Sequence, residues 1–173
     1  MGTKHVVVLP YDEAWKNDFE DIKAELMTVL SDLILRIEHV GSTSVPGLSA
    51  KPIIDIDVVI DGAESFEKVK TALGTIGYRH EGDLGIAGRE AFKYEGKDHL
   101  RKHHLYVCSK DAAELKRHVS FRDYLLSDPD AVKEYGRIKE EGAKLYPYDI
   151  DKYIEYKSSF IESIYAKIAN DSK

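Results

Sequence analysis

The stretch Pro52-Ile53-Ile54-Asp55-Ile56-Asp57-Val58-Val59-Ile60 constrains the fold more than any other part of this chain. Its β-branched residues favour an extended backbone, and a run this apolar suits a strand covered on both sides. Residues two apart in a strand share a face, so Asp55 and Asp57 project together while Ile54, Ile56 and Val58 fill the other side. Neighbouring carboxylates repel, and apolar surroundings make the repulsion worse. A hard divalent cation is the economical compensation, because Mg²⁺ takes oxygen ligands, often one or two carboxylates together with substrate phosphates.

Just upstream lies Gly41-Ser42-Thr43-Ser44-Val45-Pro46-Gly47, a segment made of turn chemistry. Gly41 removes a side chain where backbone must approach a ligand. Ser42 and Thr43 supply hydroxyls, and the start of a short helical turn offers free N–H groups to an anion. Taken singly, an Asp-x-Asp can be a solvated pair at a strand end, and Gly-Ser-Thr-Ser can be only a turn. Their conjunction, with the acids inside an otherwise apolar run, points to a metal and a phosphate on adjacent elements.

The remaining elements follow from periodicity. Residues 5–9 read as an edge strand or extended arm ending at Pro10, and Asp12 can cap a helix from Glu13. Trp15, Phe19, Ile22, Leu26 and Leu30 then recur at helical spacing. Strands are expected at 35–40, 52–60, 78–80, 89–94 and 100–108, with a helix at 64–76 stopped by Gly77. Helices follow from Asp111, with Asp111-x-x-Glu114 read as a capping box, from Asp128-Pro129 and from Asp149. The expected class is α/β (α+β): a mixed sheet with flanking helices and a C-terminal helical cap. Residues 1–173 read as one domain, with a core at about 5–108 and cap helices at about 111–169.

The segment from His39-Val40-Gly41-Ser42-Thr43-Ser44-Val45-Pro46-Gly47 through Leu48-Ser49-Ala50-Lys51-Pro52-Ile53-Ile54-Asp55-Ile56 resembles the hallmark of the GrpB family. Pro10-Tyr11-Asp12 with Trp15, His103-His104-Leu105, Phe121-Arg122-Asp123-Tyr124-Leu125, Tyr135 with Lys139, and Tyr153 with Lys157 and Phe160 extend the likeness over nearly the whole chain. A Gly-Ser turn, a spacer and Asp-hydrophobic-Asp are also similar to the nucleotidyltransferase signature. The resemblance implies a polymerase-β-like core in which Asp55 and Asp57 bind Mg²⁺ (or Mn²⁺) and Gly41, Ser42 and Thr43 hold the triphosphate of a nucleotide. An acceptor, a small molecule or a protein, would attack the α-phosphorus and pyrophosphate would leave. Many such enzymes carry a third carboxylate on a later strand, whereas residues 100–108 contain none and offer His104, either as a base or metal ligand or as a residue that only closes a hydrogen bond at a sheet edge. Glu90 and Glu95 are the spare acids nearby.

Cations complete the candidate set. Lys51 precedes the acidic strand, Arg101 stands at the mouth of a later one, and Lys139 follows Tyr135 by one helical turn. Lys157 interrupts the apolar stripe of the last helix between Tyr153 and Phe160. Each could meet phosphate oxygens, or remain a solvated or snorkelling charge. With 25 Lys and Arg against 31 Asp and Glu, the chain is a poor candidate for sequence-independent coating of nucleic acid. The single cysteine, Cys108, excludes an internal disulfide and reads as a buried, inert thiol. No apolar run is long enough for a membrane span, and Met1–His5 shows neither a secretory leader nor a myristoylation pattern, so a cytoplasmic setting is expected. The functional expectation is Mg²⁺-dependent nucleotidyl transfer from a nucleoside triphosphate, with a non-catalytic nucleotide or phosphometabolite binder, or a phosphohydrolase, as alternatives.

Overall fold

A computed structural model describes residues 5–171, so the leader reading at Met1–Lys4 lies outside the described residues. Helix α1 (Ala14–Leu30) is followed by β1 (Arg36–Val40), a 3-10 turn at Ser42–Ser44 and β2 (Ile54–Ile60). Helix α2 (Phe66–Gly74), β3 (Arg79–Gly82), β4 (Arg89–Lys93) and β5 (His103–Ser109) come next. The chain ends in α3 (Ala113–Ser127), α4 (Pro129–Leu145) and α5 (Ile150–Asp171). The strands form one sheet in the order β1-β2-β5-β4-β3. β2 and β5 run parallel, and the other neighbouring pairs are antiparallel.

The acidic strand is interior to the sheet, and its two sides have different fates. Ile54, Ile56, Val58 and Ile60 meet Trp15, Phe19, Ile22, Leu26 and Leu30 of α1 and Val69 and Leu73 of α2 in the main core. Burying each of these large apolar side chains contributes roughly 1.5–3 kcal/mol. On the other side α3 covers the C-terminal end of β2, where Val59 packs with Cys108 and Leu115. Helices α3, α4 and α5 form a second cluster around Val45 and Leu48 of the loop that precedes β2. The helical cap therefore clamps the Gly-Ser loop and leaves the beginning of β2 facing a cleft.

Local signals explain most boundaries. The N–H of Ala14 donates to Asp12 Oδ1 (2.9 Å), and that of Ala131 to Asp128 Oδ1 (3.1 Å). Asp111 does not cap α3. A turn from Ser109 to Ala112 delays the helix, so Ala112 becomes its N-cap and makes no side-chain cap bond. Residues 5–9 form an extended arm and not a strand, tied to the body by an isolated bridge between Leu9 and Ala50 and by the N–H of Val6 donating to the carbonyl of Pro147 (2.8 Å). No helix among the described residues is long and apolar enough to cross a membrane.

Candidate functional site

Asp55 and Asp57 share a face of β2, yet the fold treats them differently. Asp57 is fully buried and its Oδ2 lies 2.6 Å from His118 Nδ1 of α3, whereas the side chain of Asp55 is 32% exposed at the open end of the strand. Parallel pairing sets Asp55 opposite His104 and Asp57 opposite Tyr106. As a result His104 Nδ1 reaches Asp55 Oδ1 at 2.9 Å. Burial raises the pKa of Asp57, and the bond from His118 works against that rise. For His118 burial acts downward, but Asp57 and then Glu114 and Asp55 outweigh it and hold the imidazole above its ordinary value.

Gly41 makes the approach to Asp55 feasible. Its φ of +75° belongs to the region that favours glycine, and a Cβ built there would stand 2.3 Å from Asp55 Oδ2. The 3-10 turn that follows brings Ser42 to the mouth of a pit of about 110 Å³. Asp55, His104, Ser42, Lys51, Lys139 and Lys157 line this pit, together with Tyr153. Residues scattered over more than 100 positions of sequence thus converge on one small cleft.

The pit is cationic by construction. Lys139 is 3% exposed, donates to Ser42 Oγ and sits over the Tyr135 ring. Burial, with help from the neighbouring Lys157 and Lys51, holds its pKa well below the lysine range, and Asp55 opposes that shift. Lys157 is pushed down to about 8 by burial and by Lys51, again against the pull of Asp55. The ring of Tyr153 carries two ammonium groups, Lys51 at 5.3 Å and Lys157 at 4.9 Å. Its hydroxyl is buried without a hydrogen-bond partner among the described residues, and burial raises its pKa to about 12. Lysines driven toward neutrality, beside an unpaired hydroxyl, would regain charge and partners from an anion.

Lys157→Met tests this reading of the lysine. Below pH 8 the charged ammonium is held in a partly buried place, so the substitution should leave stability equal or improved while weakening nucleotide binding. The linkage sign agrees. The folded pKa of about 8 lies below the unfolded value of 10.5, so the unfolded chain binds more protons between them and wild-type stability rises with pH across that window. Relative to Lys157→Met, a gain on the order of 2 kcal/mol from pH 8 to 10.5 is expected in denaturant unfolding. A large loss of stability in the variant would instead assign Lys157 to packing.

Not every expected residue joins the pit through its functional atoms. Thr43 lines it, but its side chain is buried and its hydroxyl engages His39 Nε2 at 2.9 Å. Burial lowers His39 to about 4, and the imidazole stacks on Phe19. Asp57 lies behind the lining, in contact with His118. Arg101 turns to Asp18 of α1 at 2.9 Å and lines a neighbouring groove of about 860 Å³, which shares Lys51, Ile53 and His104 with the pit. Glu90 pairs with His80 and Glu95 with Arg79, so neither supplies the missing carboxylate. Cys108 is buried, and burial raises its thiol to about 12.

Sequence reasoning missed the partners on α3. Glu114, His118 and Arg122 are spaced four apart, so they form one ridge of the helix. His118 meets Asp57, its Nε2 lies 3.4 Å from Glu114 Oε1, and Arg122 donates to Glu38 (2.6 Å) and to the carbonyl of His39 (3.0 Å). That four-residue rhythm of charge was the available signal.

Among the described residues, no group of three or more His, Cys, Asp or Glu gathers as a cage for a metal. Asp55 and Asp57 are nevertheless the residues that would hold a hard cation. Asp57 Oδ1 is buried with no hydrogen-bond partner, and a carboxylate oxygen so placed is what an oxygen-seeking ion satisfies.

Residues 5–167 match the family described as GrpB protein. The glutamate-rich protein GrpB of Alkalihalophilus pseudofirmus is 35% identical over 162 residues, covering 92% of this chain and 93% of that one. The UPF0157 protein YqkA of Bacillus subtilis is 34% identical over 160 residues, and the match covers 92% of this chain but only 46% of that longer protein. The crystal structure of the conserved protein GrpB from Enterococcus faecalis superposes with a TM-score of 0.82 at 35% identity, over 96% of this chain and 99% of that one. A poly(U) polymerase, Cid1, solved bound to MgATP, shares the fold alone: TM-score 0.53 at 11% identity, over 76% of this chain and 45% of that one. The core shares its fold with that polymerase, and the chain belongs to the GrpB family.

Proposed function

We propose that this protein is a Mg²⁺-dependent nucleotidyltransferase acting in the cytoplasm on a nucleoside triphosphate and a small-molecule or protein acceptor. The observation that carries the reading is the pit itself: Lys51, Lys139, Lys157, Ser42 and Tyr153 face Asp55 and His104 in a nucleotidyltransferase-like fold. Lysine ammonium groups and hydroxyls are donors suited to phosphate oxygens. At about 110 Å³ the pit has room for phosphate groups and not for a whole nucleotide, and the adjoining groove, at about 860 Å³, has the size of a small-molecule site for the rest of the ligands.

In this reading Asp55 and Asp57 would hold Mg²⁺, which neutralises charge on the transferring phosphoryl group. Lys139 and Lys157 draw negative charge from the β- and γ-phosphates as the bond from the α-phosphorus to pyrophosphate breaks. His104, oriented through Nδ1 by Asp55, leaves Nε2 to take the proton of the attacking acceptor hydroxyl. The absence of a carboxylate from residues 103–109 favours a second reading, a binder of nucleotide or phosphometabolite without turnover.

Pyrophosphate release from labelled triphosphate separates the readings. Transfer requires release that depends on both Mg²⁺ and an added acceptor; a binder shows thermal stabilisation by nucleotide without product; release without acceptor identifies a phosphohydrolase. Binding should also report Lys157. Its charge is lost as pH rises through about 8, so triphosphate affinity should fall between pH 7 and 9, and the inflection should vanish in Lys157→Met. Calorimetric titrations across that range check this, and a flat profile for the wild type would remove Lys157 from the phosphate site.

A further inference from the structure

Each strand acid has one oxygen already taken by an imidazole. His104 Nδ1 lies 2.9 Å from Asp55 Oδ1, and His118 Nδ1 lies 2.6 Å from Asp57 Oδ2. The other oxygens are placed differently. Asp57 Oδ1 is buried without a partner, and Asp55 Oδ2 packs into the space that a side chain at Gly41 would fill. His118 is held from both ends, because its Nε2 faces Glu114 Oε1 at 3.4 Å on the same helix. Neither α3 nor β5 brings a further carboxylate to the pair: Glu114 stands behind His118, and β5 carries none.

Resting on the metal-dependent reading above, we propose that this chain holds a single divalent cation and that His118 is the positioning residue that restricts it. A two-metal centre needs carboxylates that bridge ions roughly 3.5–4 Å apart, presenting both of their oxygens. Here the imidazole of α3 occupies one oxygen of Asp57, so that oxygen is not free to bridge a second cation. Asp57 keeps one oxygen to give, Asp55 keeps one, and the substrate must complete the coordination of one ion. Removing His118 frees the second oxygen of Asp57 and takes away a competing hydrogen-bond donor, so the ion should bind more tightly.

Titration of Mn²⁺ alone into the full chain, with free ion followed by electron paramagnetic resonance, tests this without reference to turnover. The wild type is expected to take up one ion per chain, and His118→Leu to bind it at least roughly tenfold more tightly. His118→Asn, whose amide N–H can restore the bond to Oδ2, is expected to return to wild-type affinity; a merely structural role for His118 would not produce that pattern. Should His118→Leu fail to fold, the wild-type stoichiometry and the Asn variant decide. Two ions per wild-type chain, or an affinity unchanged or weakened in His118→Leu, overturn the inference and leave the metal-dependent reading standing. No uptake of the ion by the chain alone also overturns the inference, and the metal-dependent reading is then decided by whether triphosphate binding depends on Mg²⁺.

Discussion

Asp55→Asn is expected to lower Mg²⁺-dependent triphosphate affinity by roughly 100-fold, equivalent to about 2.7 kcal/mol, with the fold retained. The substitution keeps the shape of the side chain and removes its charge at a site that is 32% exposed. What it removes is the carboxylate at the open end of the strand, the one facing the lysine-lined pit. It also removes the charge that holds Lys139 and Lys157 closer to their protonated forms, so both lysines should lose further charge. Calorimetry with and without Mg²⁺, beside a thermal melt, separates the effects. Unchanged affinity would remove Asp55 from the metal and phosphate site.

Gly41→Ala should act through stability and the site together. A Cβ there would stand 2.3 Å from Asp55 Oδ2 and 3.1 Å from its Cβ and Cγ, at a φ of +75° that side chains rarely adopt. Strain of this kind costs roughly 1–3 kcal/mol, and overpacking a tight site a similar amount. A total loss of about 3 kcal/mol corresponds to a fall in melting temperature of roughly 6–12 °C for a chain of this size. Relief by moving Asp55 would spare stability but displace the carboxylate, and metal-dependent binding would be lost instead. Gly74→Ala is the matched control. It has no atom within 4 Å of the added Cβ and no positive φ, so its stability should be unchanged or higher. Wild-type stability and binding in Gly41→Ala would contradict the close approach.

The order of helices and strands was legible because each element has its own rhythm. Steps of three and four from Trp15 to Leu30 define α1, and β-branched alternation with two intruding acids defines β2. The oddity of Lys157 was legible as well: a charge within an apolar stripe left an anion partner or a snorkelling ammonium open, and the side chain lines the pit. The asymmetry of Asp55 and Asp57 was not legible. Nothing in Asp-Ile-Asp says which acid will be covered; the packing of α3 on the C-terminal half of β2 decides it. His118 and Arg122 escaped for a related reason. A ridge of Glu114, His118 and Arg122 reads the same whether it meets water or the acids Asp57 and Glu38 of a sheet. Arg101 had the opposite history. Its place at a strand mouth suggested phosphate, and the nearer carboxylate of Asp18 on α1 claims it.

The most direct test of a phosphate-gripping, metal-assisted pit is a calorimetric series with one base as nucleoside, monophosphate, diphosphate and triphosphate, each with and without Mg²⁺. Affinity should climb with the number of phosphates and depend on Mg²⁺, while the nucleoside alone binds weakly. A nucleoside that binds as tightly as its triphosphate, with or without the metal, would contradict the account.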